Sequence, residues 1–341
     1  MKKIYIIIVS FIYCLKGISQ DMNFSQFYEL PMLRNPSLAG SYKGDFKASA
    51  SYRNQWASVT TPFVSQAVGL EMKFASGENS DNYFSLGLQM TNDVAGDSKL
   101  GKTQILPVIA FHKSLSDDKD AYLSLGFMGG AVQNRFDPTK LQFDDQFVNG
   151  SYSATNATQQ SFKNTNISYL DGSVGMVFSS SYKESINYYV GAAYFHFNKP
   201  KVSFNRISNE IKLAPKVMFN AGLTGSVGES NEIIAYADYF TQGGAEQMQA
   251  GLMYKHELVK QDEDEVVSLS GGAFLRWNDA VIPVIKLDYY RFGIGVTYDA
   301  NISKLKTASQ SRGGFEISMS YRNYLNIRNS SLNKTRCPVT F

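Results

Sequence analysis

Apolar and polar side chains alternate in segments of about ten residues through most of this chain. In the clearest segment, the apolar residues occupy every second position: Phe315, Ile317, Met319 and Tyr321. Successive side chains of a strand face opposite ways, so a wall between lipid and water has this pattern. The alternation therefore predicts an all-β fold, a transmembrane β-barrel of the outer-membrane type.

Counting such segments predicts about fourteen antiparallel strands, an even number as in bacterial barrels. The predicted strands are 46–57, 63–75, 82–92, 102–114, 120–135, 169–182, 186–198, 213–226, 231–242, 244–258, 265–276, 281–288, 291–300 and 313–323. With the N-terminus in the periplasm, the polar connections at 76–81, 116–119, 228–231 and 261–264 are periplasmic. The longest gaps, 136–168, 199–212 and 301–312, then face the cell exterior, which is the usual asymmetry.

Composition supports this fold class and excludes some others. After residue 19 the chain has no apolar run of the roughly 18 residues that a membrane helix needs. It is rich in residues that favour strands and aromatic girdles, with 21 Tyr and 23 Phe against 9 Pro. The net charge is only +3 and no basic cluster occurs, so we expect no nucleic-acid partner. A soluble sandwich or propeller is the alternative, but no blade-length repeat is found.

The beginning of the chain predicts export and a separate N-terminal segment. Residues 1–19 begin with Lys2 and Lys3, continue with a short apolar core and carry small residues before Gln20, which indicates a signal peptide. Residues 20–45 are aromatic, interrupted by proline and outside the strand pattern, so we expect a periplasmic or plug segment. Residues 46–324 form the predicted barrel and 325–341 a C-terminal tail. Cys337 alone remains after cleavage, which excludes an internal disulfide.

No pattern for catalysis is found. The three histidines, His112, His196 and His256, are far apart in the sequence and none has a second histidine at metal-ligand spacing. A Gly-x-Ser-x-Gly nucleophile elbow is also missing from the sequence. We therefore predict no enzyme, no cofactor and no metal site, although a hydrolase whose groups assemble from distant strands stays open.

Several motifs together resemble one known family. The motifs are QDMNFSQFY at 20–28, RNPSLAGS at 34–41, YRNQW at 52–56, FDPTKLQFDDQF at 136–147, DGSVG at 171–175 and GGFEIS at 313–318. They resemble PorP/SprF proteins, outer-membrane components of the type IX secretion system of Bacteroidetes. The second and third motifs are distinctive as a pair at this spacing near a signal peptide, whereas the last is common in barrels. The final residues, 337–341, depart from the family because they lack its basic residue.

The resemblance implies a binding protein. Family members bind, help to export or anchor a secreted surface protein, notably an adhesin with a type B C-terminal sorting domain. The implied partners are that client, the type IX secretion machinery and outer-membrane lipid. Our hypothesis is that the barrel holds the client's folded C-terminal domain on the outer face through long loops. A passive or substrate-specific porin is the alternative, because about fourteen strands can enclose a channel.

Two groups of residues are candidates for partner contact. The first comes from the family motifs: Asn35, Pro36, Arg53, Asn54, Gln55 and Trp56. The second lies in the 136–168 loop, whose length exceeds an ordinary hairpin connection: Asp137, Phe143, Asp144 and Asp145. Each has a simpler interpretation, since Trp56 suits an interfacial anchor, Pro36 can shape the entry into the first strand and the aspartates can be solvated loop charges.

Overall fold

Strand formation dominates the computed structural model of this chain. It describes residues 21–57, 60–76, 81–116, 120–148, 150–160, 162, 164–183, 185–204, 211–260, 266–304 and 306–325. The predicted signal peptide and all but the first residue of the predicted C-terminal tail, including Cys337, lie outside these ranges. Within them, no helix is long and apolar enough to cross a membrane.

Fourteen antiparallel strands close into a barrel in which the first strand pairs with the last. The barrel strands are β1 (Phe46–Gln55), β2 (Phe63–Ala75), β3 (Tyr83–Ala95), β4 (Leu100–Ser116), β5 (Ala121–Arg135), β8 (Asn166–Tyr182), β9 (Ile186–Phe195), β10 (Lys216–Ser226), β11 (Asn231–Gln242), β12 (Ala245–Lys260), β13 (Val266–Arg276), β14 (Ala280–Tyr289), β15 (Phe292–Asn301) and β16 (Arg312–Asn323). A separate small hairpin between β5 and β8 consists of β6 (Phe147–Val148) and β7 (Ser151–Tyr152). The predicted all-β barrel and its strand number are confirmed.

Strand ends differ from the prediction for local reasons. The predicted strand 186–198 stops at Phe195 because His196 has a φ of 57°, outside the extended region. The next strand begins at Lys216 rather than at 213, directly after Pro215, which has no N–H to donate to the ladder. The hairpin β6–β7 was not predicted, since its two-residue strands are too short to give an alternation.

The wall of the barrel has one apolar and one polar face. Outward positions carry exposed apolar side chains such as Ile109 at 50%, Val190 at 53% and Ile285 at 64% exposure. Inward positions are buried and often polar, as in β1, where they are Lys47, Ser49, Ser51 and Arg53. Lipid solvates the outer face of such a barrel and the lumen accepts polar groups. The alternation of apolar and polar residues in the sequence therefore reflects side chains that face lipid and lumen in turn.

The two ends of the barrel carry connections of different length. Tight turns join β8 to β9, β10 to β11 and β14 to β15 at one end, where β1 begins and β16 ends. The opposite end carries the long connections 136–165, 196–215 and 302–311. Bacterial barrels have short periplasmic turns and longer extracellular loops, so we assign the long-loop end to the cell exterior.

Residues 21–45, called the plug below, lie inside the barrel. They form three single turns of helix, at Phe27–Glu29, Pro31–Arg34 and Pro36–Leu38, rather than a strand. Nearly all of these residues are buried, including Phe24, Leu30, Met32 and Leu38. They pack into clusters with inward side chains of strands from opposite walls. The core of this molecule is therefore the contact between the plug and the barrel wall.

Candidate functional site

The plug runs through the lumen from the outer side to the periplasmic mouth. At its outer end, the Asp21 carboxylate pairs with Lys102 Nζ at 2.9 Å, Lys216 Nζ at 3.3 Å and His196 Nε2 at 2.7 Å. At its inner end, Lys73 Nζ donates to the Tyr42 carbonyl at 2.7 Å, beside the start of β1. The described chain therefore begins near the exterior and passes down the lumen before it enters the wall.

Arg34 fixes the middle of the plug to β11. Its Nε and Nη2 donate to the two carboxylate oxygens of Asp238 at 2.8 and 2.6 Å, and both side chains are buried. The guanidinium also lies over the rings of Phe27 and Tyr236, at 4.9 and 5.5 Å from their centroids. Removing one partner of such a buried pair leaves an uncompensated charge, which costs about 3–5 kcal/mol.

Asn35 and Pro36 rest in a hollow made by three inward-facing glycines, the glycine cradle: Gly126 on β5, Gly175 on β8 and Gly191 on β9. Asn35 Nδ2 donates to the carbonyls of Met176 and Ala192 at 3.2 and 3.1 Å. A Cβ at Gly175 would lie 1.9 Å from Asn35 Oδ1, and one at Gly126 would lie 2.4 Å from the Pro36 carbonyl carbon. Glycine at these positions is what lets the plug approach the wall.

Arg53 faces the lumen as part of a buried network of charges. Its Nη2 pairs with Asp299 Oδ2 at 2.5 Å, and it also donates to the Asn23 carbonyl of the plug. On β16, Glu316 accepts hydrogen bonds from the backbone N–H groups of Ser25 and Gln26 at 2.6 and 2.8 Å. Glu316 thus holds the plug by its main chain, and Asp299 accepts from the Ser25 hydroxyl at 2.5 Å. Arg53 therefore contributes to the seat of the plug.

The neighbours of Arg53 are placed differently from it. Asn54 is half-buried on the opposite face of β1, and Gln55 is half-buried at the last position of the strand. Trp56 follows with a φ of 57°, its N–H bonded to the Gly313 carbonyl and its ring 4.8 Å from that of Phe63. The four residues at 53–56 therefore do not share one surface, and their contact with a partner stays a prediction.

The loop candidates lie at the exterior end. Asp137 is half-exposed and caps a turn, and hydrogen bonds from the Thr139 hydroxyl and N–H hold the pKa of its carboxyl below its ordinary value. Asp144 is exposed, whereas Asp145 Oδ2 accepts from Gln159 N at 2.7 Å. Half-buried Phe143 lies with its ring 6.0 Å from that of Phe162. These residues organise the loop itself.

Sequence reasoning missed the carboxylates that seat the plug. They lie at inward positions of strands. Glu71, Asp238, Asp299 and Glu316 bind plug atoms directly, and Asp171 acts through His196, which pairs with Asp21. A charged residue at a lumen-facing position of a barrel strand is the signal that could have found them. Asp171 and Glu316 even fall within family motifs, 171–175 and 313–318.

The cavities against the upper and middle part of the plug are small. Cavities beside Phe27 and beside Gln249 measure about 30 and 10 Å³, which is room for about two water molecules and one. Across the described residues, no group of three His, Cys, Asp or Glu side chains is arranged to hold a metal ion. The arrangement is a closed lumen whose polar side chains bind a segment of polypeptide.

The fold and the lumen together define an outer-membrane β-barrel with an internal N-terminal segment. A family model described as "Type IX secretion system membrane protein PorP/SprF" matches residues 17–321. The chain therefore belongs to the PorP/SprF family, as its motifs predict, and is a membrane component of the type IX secretion system.

One solved structure supports the fold alone, and a second is a weaker likeness. A FadL homologue of Pseudomonas aeruginosa is 8% identical with a TM-score of 0.50, covering 84% of this chain and 92% of its own. The toluene transporter TodX of Pseudomonas putida is 9% identical with a TM-score of 0.48, covering 89% and 95%. A search of curated proteins gives no match.

Proposed function

We propose that this protein is a closed barrel that holds a secreted client on the cell surface rather than a channel that conducts. The client is a surface protein, such as an adhesin with a type B C-terminal sorting domain, delivered by the type IX machinery to which the family belongs. The barrel wall lies in outer-membrane lipid, and the client's folded C-terminal domain rests against the exterior loops. No chemical step is needed for this function.

The observation that carries this proposal is the filled lumen. The plug is fixed by charged contacts at its outer end, its middle and its inner end. A passive or substrate-specific porin needs an open path, and the seated plug argues against one. A closed barrel must then bind its client through the exterior loops.

The 136–165 loop is the outer surface best suited to a protein partner. Its hairpin exposes Phe147 at 52% and Val148 at 49%, and the Tyr152 ring lies 5.6 Å from that of Phe147. Below them, Phe136 packs against Phe162 of the same loop and Phe204 of the next, at 5.2 and 4.9 Å. Exposed apolar groups on a packed base are typical anchors of protein interfaces.

An affinity pulldown tests this function. The tagged barrel is isolated from gently solubilised outer membranes, and bound proteins are identified by mass spectrometry. The wild type is expected to recover a large secreted protein through its C-terminal domain, and a Phe147→Ser, Val148→Ser variant to recover roughly tenfold less, as for loss of an interface anchor.

Leu115→Ser is the matched control, because Leu115 is equally exposed, at 54%, but lies at the periplasmic end of β4. It should recover the client as the wild type does. A wild-type barrel that is recovered without a secreted protein would contradict the proposal and favour the porin.

A further inference from the structure

The periplasmic mouth of the barrel contains a cavity that the plug leaves open. Its volume is about 340 Å³, within the range of ligand pockets. Lys43 and Gly44 of the plug form one side, and the other consists of inward residues near the ends of β11 to β16. The inner end of the plug rests against β2, where Glu71 and Lys73 bind it. The mouth is thus half filled.

Three oxygen-bearing side chains form a row across this cavity. Glu257 on β12 pairs in register with Ser268 on β13, which pairs with Asp288 on β14. Side chains directly opposite each other on adjacent strands are about 5 Å apart. The row therefore presents a carboxylate, a hydroxyl and a second carboxylate side by side to the cavity.

Each member of the row has a buried oxygen without a hydrogen-bond partner among the described residues: Glu257 Oε2, Ser268 Oγ and Asp288 Oδ1. Ser268 is only 1% exposed, yet it lines the cavity. Buried polar oxygens are normally satisfied. The row is thus equipped to accept hydrogen bonds from a donor that enters the cavity.

The charges of the cavity indicate a ligand with both signs. Lys255 is paired with Glu232 at 3.0 Å. Asp288 Oδ1 lies 3.5 Å from both Arg322 Nη2 and Lys286 Nζ, outside hydrogen-bond geometry, so Glu257 is the carboxylate of the row without a cation beside it. Glu257 makes no ion pair among the described residues, and neither does Arg291, an exposed cation at the rim. One unpaired carboxylate and one unpaired guanidinium in the same cavity suit a basic group beside an acidic one.

We propose that this mouth cavity binds a segment of a periplasmic polypeptide, with a basic side chain on the Glu257–Ser268–Asp288 row and an acidic side chain at Arg291. A polypeptide is favoured because the same lumen already binds one. Glu316 accepts from the N–H groups of Ser25 and Gln26, and Glu71 accepts from Gly40 N. The site faces the periplasm, whereas the client surface lies outside the cell, so the two proposals are independent.

Calorimetric titration of the full-length barrel in detergent tests the site. The probe is a pentapeptide blocked at both ends, with one arginine and one aspartate separated by an alanine. Wild type is expected to bind it, and Glu257→Gln and Arg291→Gln each to weaken binding about tenfold, as for loss of a charged hydrogen bond. Ser268→Ala should weaken it about threefold, because a neutral hydrogen bond is worth less.

Two variants of matched charge serve as controls. Glu246→Gln changes an exposed carboxylate at the other end of β12, and Arg312→Gln an exposed guanidinium at the other end of β16. Both should leave the affinity unchanged, and all variants should keep the gel mobility of the folded barrel. A probe in which glutamine replaces arginine should bind about as weakly to the wild type as the original probe does to Glu257→Gln.

Three results would overturn the proposal. The first is no binding to the wild type up to about 1 mM probe. The second is free arginine binding as tightly as the peptide, which would make the ligand a small zwitterion. The third is binding only to a chain that ends at residue 325, which would assign the cavity to this protein's own C-terminal tail.

Discussion

The plug and the 136–165 loop differ in almost every physical respect. Plug residues are buried and held by ion pairs such as Arg34–Asp238 at 2.6 Å. The loop exposes Phe147 and Val148, and many of its hydrogen bonds, such as those to Asp145, stay within the loop. Yet the most distinctive sequence motifs belong to the plug and its seat. Motifs that identify a family can therefore report internal architecture, while the loop that we propose as the client surface lacks a comparably distinctive motif.

Deleting residues 21–45 is expected to give the largest effect. Without the plug, a fourteen-stranded wall encloses an open, charged lumen, and uptake of an antibiotic that the outer membrane excludes should rise roughly tenfold or more. Growth inhibition of cells that carry the deletion measures this. Deleting 147–152 from the outer loop is the control and should leave uptake at the wild-type level. Equal uptake by the two deletion strains would mean that the plug does not block the lumen.

Arg34→Met should loosen the plug by about 3–5 kcal/mol, because Asp238 is left buried without its partner. Subtilisin cleavage within 21–45, followed by mass spectrometry, reports the loosening. Lys255→Met is matched to it, since it breaks the Glu232–Lys255 pair, which is partly exposed and is worth about 0–1 kcal/mol. If the two variants were cleaved at similar rates, the buried pair would not be what holds the plug.

Gly175→Ala tests the glycine cradle and should have a moderate effect. Its new methyl group would collide with Asn35 Oδ1, and overpacking of this kind costs about 1–3 kcal/mol. Gly271→Ala adds the same group on β13, where nothing lies within 4 Å. We expect faster subtilisin cleavage of the plug only for the first variant. Equal protection would mean that the plug can shift to accept the methyl group.

The double variant Phe147→Ser, Val148→Ser should change stability least. Both side chains are half exposed, and substitutions at such surface positions stay within about 0.5 kcal/mol. Plug protection and the thermal shift of the folded band on a gel should match the wild type, while client recovery falls. Conversely, the Arg34→Met variant should recover the client as the wild type does. A loop variant that also releases the plug would show that the two regions are coupled.

Much of the wall could be predicted from the sequence, because two-residue periodicity follows directly from a strand with lipid on one side. Inward polar positions such as Ser318 and outward ones such as Phe315 were separable by that rule. The strand ends at Phe195 and Lys216 could not be predicted in this way. The first depends on one left-handed residue, His196, and the second on one proline, Pro215. Local backbone geometry of this kind leaves no periodic signal.

The seat of the plug was largely out of reach of the sequence. Arg34 and Asp238 are 204 positions apart, and Ser25 and Glu316 are 291 apart. Nothing in one sequence relates residues so distant until the barrel closes. Asn35, Pro36 and Arg53 were singled out as partner contacts, but the structure places them against the wall and the plug. Their contact with a client stays a prediction that this placement disfavours.

A conductance recording tests the central claim, a closed lumen with its working surface outside, most directly. Purified wild-type barrel and the 21–45 deletion are inserted into planar lipid bilayers under the same voltage. We expect no steady current steps from the intact protein and large, stable steps from the barrel that lacks residues 21–45. Steady steps of similar size from both proteins would contradict it, because the plug would then not close the barrel.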